Sequence, residues 1–157
     1  MKLGALAIAL GVTLAVVFAT VATSTAAKPS PDLIARGKYL VDQVGMCADC
    51  HSPRDEKGEF SKEKYLKGSV LIFKPIVPMP VWADKSPNIA GLPGWEDVAA
   101  VKFLMTGIAY NDLPGRPPMP QYRFNKEDAI AIVAYLRSLN RSEGGVGSQE
   151  SEVRSRK

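Results

Sequence analysis

The chain predicts an all-α domain of three main helices wrapped around a bound group rather than around an ordinary core. Three observations carry this reading. Apolar residues recur at helical spacing in three separated stretches. A proline-bearing apolar segment from residue 46 to 94 has almost no periodicity, and a loop this long in a compact domain is usually organised by a ligand or is disordered. Three helices alone would leave that loop with nothing to pack on. The composition, 46% hydrophobic and 23% charged over 157 residues, excludes a collagen-like or wholly disordered chain. Two cysteines are too few for a disulfide scaffold, and a single histidine excludes any site needing two imidazoles of one chain. The net charge of +4 is too weak, without a clustered patch, to argue for nucleic acid.

The first element, residues 1–27, reads as an address. Lys2 precedes an uncharged run from Leu3 to Ala22, followed by small residues up to Ala27. That order is the pattern of a secretory signal peptide. The run is also long enough, at about 20 residues, to serve as an N-terminal membrane anchor if it is not cut. Either outcome exports the remainder, to the periplasm or to the outer face of the inner membrane.

Residues 28–141 form the expected domain. Ser30 can cap a helix, Pro31 suits its first position and Asp32 favours its positive end. Leu33, Ile34, Gly37, Leu40, Val41 and Val44 continue the helical spacing, and Gly45 can stop it. A second helix is expected from Trp95 to Thr106, ending at Gly107. A third begins at the cap Asn125, with Glu127 and Asp128 in its first turn and Ala129, Ile132, Val133, Leu136 and Leu139 as its stripe. Between the first two, a short helix is predicted around Lys62 to Lys67. Pro75, Pro78, Pro80, Pro87 and Pro93, with Phe73 and Trp82, suggest a stiff loop. Residues 142–157 are polar and glycine-bearing, as in a disordered tail.

Cys47-Ala48-Asp49-Cys50-His51 is C-x-x-C-H, the attachment motif of c-type haem. Two thiols at this spacing can each add to one vinyl group of the same porphyrin, and the adjoining imidazole then meets the iron. A structural zinc site needs four ligands where this chain offers three. A thioredoxin-type dithiol would sit near a βαβ pattern, which is absent. Iron held by one imidazole needs a sixth ligand or an open position, and methionine is the remaining common choice. Pro78-Met79-Pro80 and Pro118-Met119-Pro120 both hold a methionine between prolines that restrict its backbone. Met119 is the better supported, because it directly precedes a capped helix that can brace it. Met79, water and lysine remain as alternatives.

These residues and their order resemble the class I c-type cytochromes over residues 31–141. The resemblance is carried by Gly37-Lys38-Tyr39-Leu40, then CADCH, then Ser86-Pro87-Asn88-Ile89-Ala90-Gly91, Gly94-Trp95-Glu96-Asp97, the Met119 loop and Ala134-Tyr135-Leu136. The chain looks most like cytochrome domains of periplasmic alcohol, aldehyde or sugar dehydrogenases, with Ser52-Pro53-Arg54-Asp55 after the histidine. The resemblance implies one covalent haem c on Cys47 and Cys50, with His51 as proximal and Met119 as distal ligand. It also implies a small cytochrome c fold in which the first and last helices cross, placing Gly37 and Tyr39 near Tyr135.

The expected function is electron transfer rather than catalysis, since the only histidine is already used. Redox proteins are the expected partners: a dehydrogenase, an oxidase or a membrane complex. A fixed subunit of an oxidoreductase complex is an alternative, and a haem enzyme or sensor with an open sixth site is another. Trp82, Ile89, Val98 and Leu136 are candidate apolar walls. Arg116, Arg123 and Lys126, in a run without acids, could steer an acidic partner or neutralise propionates.

Overall fold

The computed structural model describes residues 28–154, with side chains described through Asn140. The expected address segment, residues 1–27, lies outside the described residues. Helix α1 (Pro31–Tyr39) starts as its sequence dictates. Ser30 is extended, and its Oγ accepts the Leu33 N–H at 3.2 Å. The helix then widens without a break into a π-helical turn (Leu40–Val44), closed by the Gly45 N–H donating to the Leu40 carbonyl at 2.7 Å. The wider turn keeps both Leu40 and Val41 inside the core and delivers the chain into the next element. That element is a single turn, α2 (Ala48–His51).

Two short strands follow, β1 (Ser69–Val70) and β2 (Lys85–Ser86), paired antiparallel with Ser69 opposite Ser86. They close the base of a loop spanning residues 71–84, where the Leu71 N–H donates to the Asp84 carbonyl at 2.9 Å. Helix α3 (Asp97–Thr106) begins two residues later than periodicity suggested and ends at Gly107, whose φ of +75° is the left-handed cap glycine accepts. The last helix, α4 (Lys126–Arg154), has the expected cap, with the Asp128 N–H donating to Asn125 Oδ1 at 2.8 Å. It continues through positions that the sequence reading assigned to a polar tail.

The core lies where α4 meets α1 and the π-turn. Ala129, Ala131, Ile132, Val133, Ala134, Tyr135 and Leu136 are buried on α4, with Leu40, Val41, Leu66 and Ala90 against them. The helices cross at Gly37. An ideal Cβ there would stand 1.9 Å from the Ala131 carbonyl oxygen and 2.8 Å from Tyr135 Cβ, so only a hydrogen allows this approach. Arg36 adds an ion pair to Asp128 at 2.9 Å across the same contact. The predicted all-α fold is therefore present, with a two-stranded ribbon that short, polar strands did not announce. Among the described residues no helix is long and apolar enough to cross a membrane.

Three local expectations are corrected. The segment Lys62 to Lys67 forms turns, not a helix, because Leu66 takes a φ of +58° so that its side chain can enter the core. Tyr39 points to solvent, where Arg36 lies 5.6 Å from its ring centroid. Tyr135 instead has Lys38 over its ring at 5.9 Å. Val98 is 83% exposed and walls nothing, because α3 presents Ala100 to the core and turns Val98 outward.

Replacing Gly37 by alanine tests the crossing. Alanine in a helix normally gains about 1 kcal/mol over glycine. Here the methyl meets backbone, and Gly37→Ala should cost about 3 kcal/mol in denaturant unfolding. A gain in stability would show that the helices do not touch.

Candidate functional site

Cys47, Cys50 and His51 stand at positions i, i+3 and i+4 of one helical turn, so their side chains share a face. Cys47 already has αR dihedrals (φ −60°, ψ −30°), and its carbonyl accepts the His51 N–H at 2.9 Å. Both thiols are unbridged. The turn is pinned from outside. Ser86 Oγ donates to the Cys50 carbonyl at 2.5 Å, the Gly68 N–H donates to the His51 carbonyl at 2.8 Å, and Ser52 Oγ accepts the Leu66 N–H at 2.8 Å.

The imidazole of His51 is buried, and its Nδ1 lies 2.8 Å from the Pro87 carbonyl oxygen. A carbonyl only accepts, so Nδ1 carries the proton and Nε2 presents a lone pair. Burial lowers the His51 pKa, while the bond to Pro87 works against it. The ring thus favours the neutral form, in the tautomer that leaves Nε2 free for a metal. Burial pushes the Cys47 thiol up to about 11, and Cys50 is raised by burial and by neighbouring Asp49.

Met119 is half-buried between two prolines, its N–H donating to the Arg116 carbonyl at 3.0 Å. Three residues on, the Tyr122 hydroxyl donates to the Gly45 carbonyl at 2.5 Å. Gly45 adjoins the attachment turn: a Cβ built on it would lie 3.2 Å from Cys47 Sγ and 3.6 Å from the Tyr122 oxygen. Burial, then the nearby cysteines, raise Tyr122 to about 12, so it stays a neutral donor. The structure therefore ties the Met119 segment to the cysteine turn. Met79 lies in the 71–84 loop, where its carbonyl accepts the Trp82 N–H at 3.1 Å, and the loop meets the cysteine turn through Ser86, seven residues on from Met79.

The donor set can be tested against a haem. Two free thiols on one face, an imidazole with Nε2 available and a thioether segment fastened alongside are what covalent attachment and axial ligation need. One further observation fits. Trp82 Nε1 is buried with no hydrogen-bond partner, a donor left for something the polypeptide does not supply. Among the described residues no cluster of three or more His, Cys, Asp or Glu forms a cage for a bare ion. Of the remaining candidate walls, Leu136 is buried, while Ile89 is partly buried against the core.

The cytochrome c family profile matches residues 34–140, which include the cysteine turn and the Met119 segment. This chain belongs to the cytochrome c family. Membership implies covalently bound haem c and an electron-transfer role. The chain is 28% identical over 114 residues to the fructose dehydrogenase cytochrome subunit of Gluconobacter japonicus, covering 66% of this chain and 21% of that protein. It is 30% identical over 110 residues to a dihaem cytochrome c-type protein of Cereibacter sphaeroides, covering 66% and 34%. With the gluconate 2-dehydrogenase cytochrome c subunit of Pantoea cypripedii the identity is 28% over 144 residues, covering 82% and 31%. The chain thus spans between a fifth and about a third of these three relatives' lengths.

Four contributors escaped the sequence reading: the Pro87 carbonyl, Ser86, Tyr122 and the side chain of Arg116. The first two stand in the quoted Ser86-Pro87-Asn88-Ile89 stretch, but a carbonyl acceptor has no sequence signature. Arg116 and Arg123 were read only as charge, yet both donate to main-chain carbonyls.

The two thiols should differ before attachment. In the folded, haem-free polypeptide near pH 8, iodoacetamide should modify Cys50 ahead of Cys47, because the more deeply buried thiol yields less thiolate. Peptide mass spectrometry reads the order. Equal rates would place Cys47 at the surface.

Proposed function

We propose that this chain is an exported, periplasmic electron carrier holding one haem c on Cys47 and Cys50, with His51 and Met119 as axial ligands. The observation that carries the reading is the pairing of His51 Nδ1 with the Pro87 carbonyl at 2.8 Å, which leaves Nε2 for iron. When bound, haem supplies one-electron chemistry at its iron. The polypeptide's part is to hold and shield. Pro87 keeps the imidazole in one tautomer and orientation. Tyr122 and the prolines on either side of Met119 keep the thioether segment beside the attachment turn, so that little needs to rearrange when an electron arrives. A thioether ligand favours the reduced state and raises the potential. Trp82 Nε1 is a donor available to a haem propionate.

Two of the relatives are cytochrome subunits of sugar and sugar-acid dehydrogenases. They support a dehydrogenase, or a membrane complex served by one, as electron donor to this chain, with a terminal acceptor beyond. They also favour a second reading, in which the same haem belongs to a fixed subunit of an oxidoreductase complex. In the carrier reading, the exposed charges of Arg116, Arg123 and Lys126 face an acidic partner. Purification at native abundance separates the two readings, since a carrier emerges alone.

Axial ligation is tested on protein matured in a host with cytochrome-assembly machinery. Met119→Ala should abolish the methionine-to-ferric-iron charge-transfer band, and Met79→Ala should leave it. The reduced wild type should not bind carbon monoxide without denaturant, whereas Met119→Ala should. Carbon monoxide binding to wild type would favour an enzyme or sensor with an open site, and loss of the band in Met79→Ala alone would transfer the ligand role.

A further inference from the structure

The 71–84 loop has little core to rest on. Ile72 and Ile76 are almost fully exposed; Leu71 is buried, Trp82 is half-buried, and the exposed Phe73 stands edge-on to Trp82 at 5.9 Å. Its far end is nevertheless held. Arg116 Nε donates to the Val81 carbonyl at 3.3 Å and Nη2 to the Trp82 carbonyl at 2.9 Å. Beside them the Ala83 N–H donates to the Pro117 carbonyl at 2.7 Å. The main chain of the same arginine faces the other way, its carbonyl accepting the Met119 N–H at 3.0 Å.

These bonds complete a ring. The cysteine turn is tied to β2 through Ser86 and the Cys50 carbonyl, and β2 continues back into the 71–84 loop. That loop is tied to the Met119 segment through Arg116 and Ala83, and the segment returns to the cysteine turn through Tyr122 and Gly45. In this ring Arg116 is the one side chain that grips the loop while its own backbone holds Met119.

We propose that Arg116 is a positioning residue that clamps the Met119 segment to the 71–84 loop and so sets how readily the methionine sulfur leaves the iron. The proposal rests on Met119 being the sixth ligand. Displacing the segment that carries the sulfur breaks two charge-assisted bonds to carbonyls and the Ala83 bond beside them. The clamp acts on ligand release and not on the core, because Arg116 is exposed and its side chain bonds to the Val81 and Trp82 carbonyls of the loop.

The matched control is Arg123. It belongs to the same basic run and has the same charge, but among the described residues it donates to Gln121 and Tyr122, its immediate neighbours. The experiment titrates the ferric holoprotein with imidazole, which binds as the methionine departs, and follows the visible spectrum. Arg116→Gln should bind imidazole about fivefold more tightly than wild type, since the open population rises by that factor. Arg123→Gln should change affinity by less than about twofold, and Arg116→Lys, which restores one charged donor, should fall between. Equal behaviour of Arg116→Gln and Arg123→Gln would overturn the clamp and leave a general charge effect.

Met119→Ala separates the two levels. If it keeps the methionine charge-transfer band, the ligand assignment fails; if it loses the band while Arg116→Gln binds imidazole as wild type does, only the clamp fails. Hydrogen exchange on the unmutated holoprotein covers the case in which Arg116→Gln does not mature. Saturating imidazole should strip protection from the Ala83 amide and leave the Leu66 amide, bonded to Ser52, protected. Ala83 remaining protected under imidazole would overturn the proposal.

Discussion

The contact between the His51 Nδ1–H and the Pro87 carbonyl joins two parts of the chain 36 residues apart. It acts on chemistry and on fold at once. It selects the tautomer in which Nε2 can bind a metal, and it fastens the long connection between the cysteine turn and α3. Leu66, Ala90 and Leu92 then reach the core from that connection. A loop of this length has little regular backbone pairing of its own, so its polar groups must be satisfied individually. Main-chain bonds from Ile89 and Ala90 to the Leu66 carbonyl, and from Gly91 to the Leu136 carbonyl, continue the same work towards α4.

Side chains complete what the backbone leaves open. Arg137 on α4 donates to the carbonyls of Gly91, Leu92 and Trp95 and pairs with Asp97 at 2.7 Å, which fixes the entry to α3. Arg116 does the same for the far end of the 71–84 loop. A guanidinium suits this task because its planar fork can serve several carbonyls from one position, which a lysine cannot. The domain is therefore held in two ways. Apolar packing secures the α1–α4 pair, and directed polar bonds secure the connections that carry the site.

The α1–α4 crossing supplies the fixed frame. Gly37 against Ala131 brings the two helices within backbone contact, and the π-turn beyond Tyr39 redirects the chain straight into the cysteine turn. The orientation of the attachment face is thereby inherited from the core. The Met119 segment reaches it from the opposite direction in sequence, running into the capped start of α4. Two ends of the domain that pack together thus bring the cysteine turn and the Met119 segment to one place.

Read by itself, the sequence determined the attachment chemistry, the three helices and three of their caps. C-x-x-C-H is a local code, and Ser30, Gly107 and Asn125 act on backbone groups within four residues of themselves. The apolar stripe of α4 was legible for the same reason, since periodicity reports a face. Tertiary structure alone decided the rest. Leu66 abandons helical dihedrals for the sake of burial, Val98 turns outward although it lies in the helical stripe, and the ribbon at Ser69 and Ser86 exists because the turn beneath it needs donors. The Pro87, Gly45 and Trp82 carbonyls became hydrogen-bond partners only when distant segments met them. Every residue offers the same carbonyl, so no sequence marks which one a histidine, a tyrosine or an arginine will find.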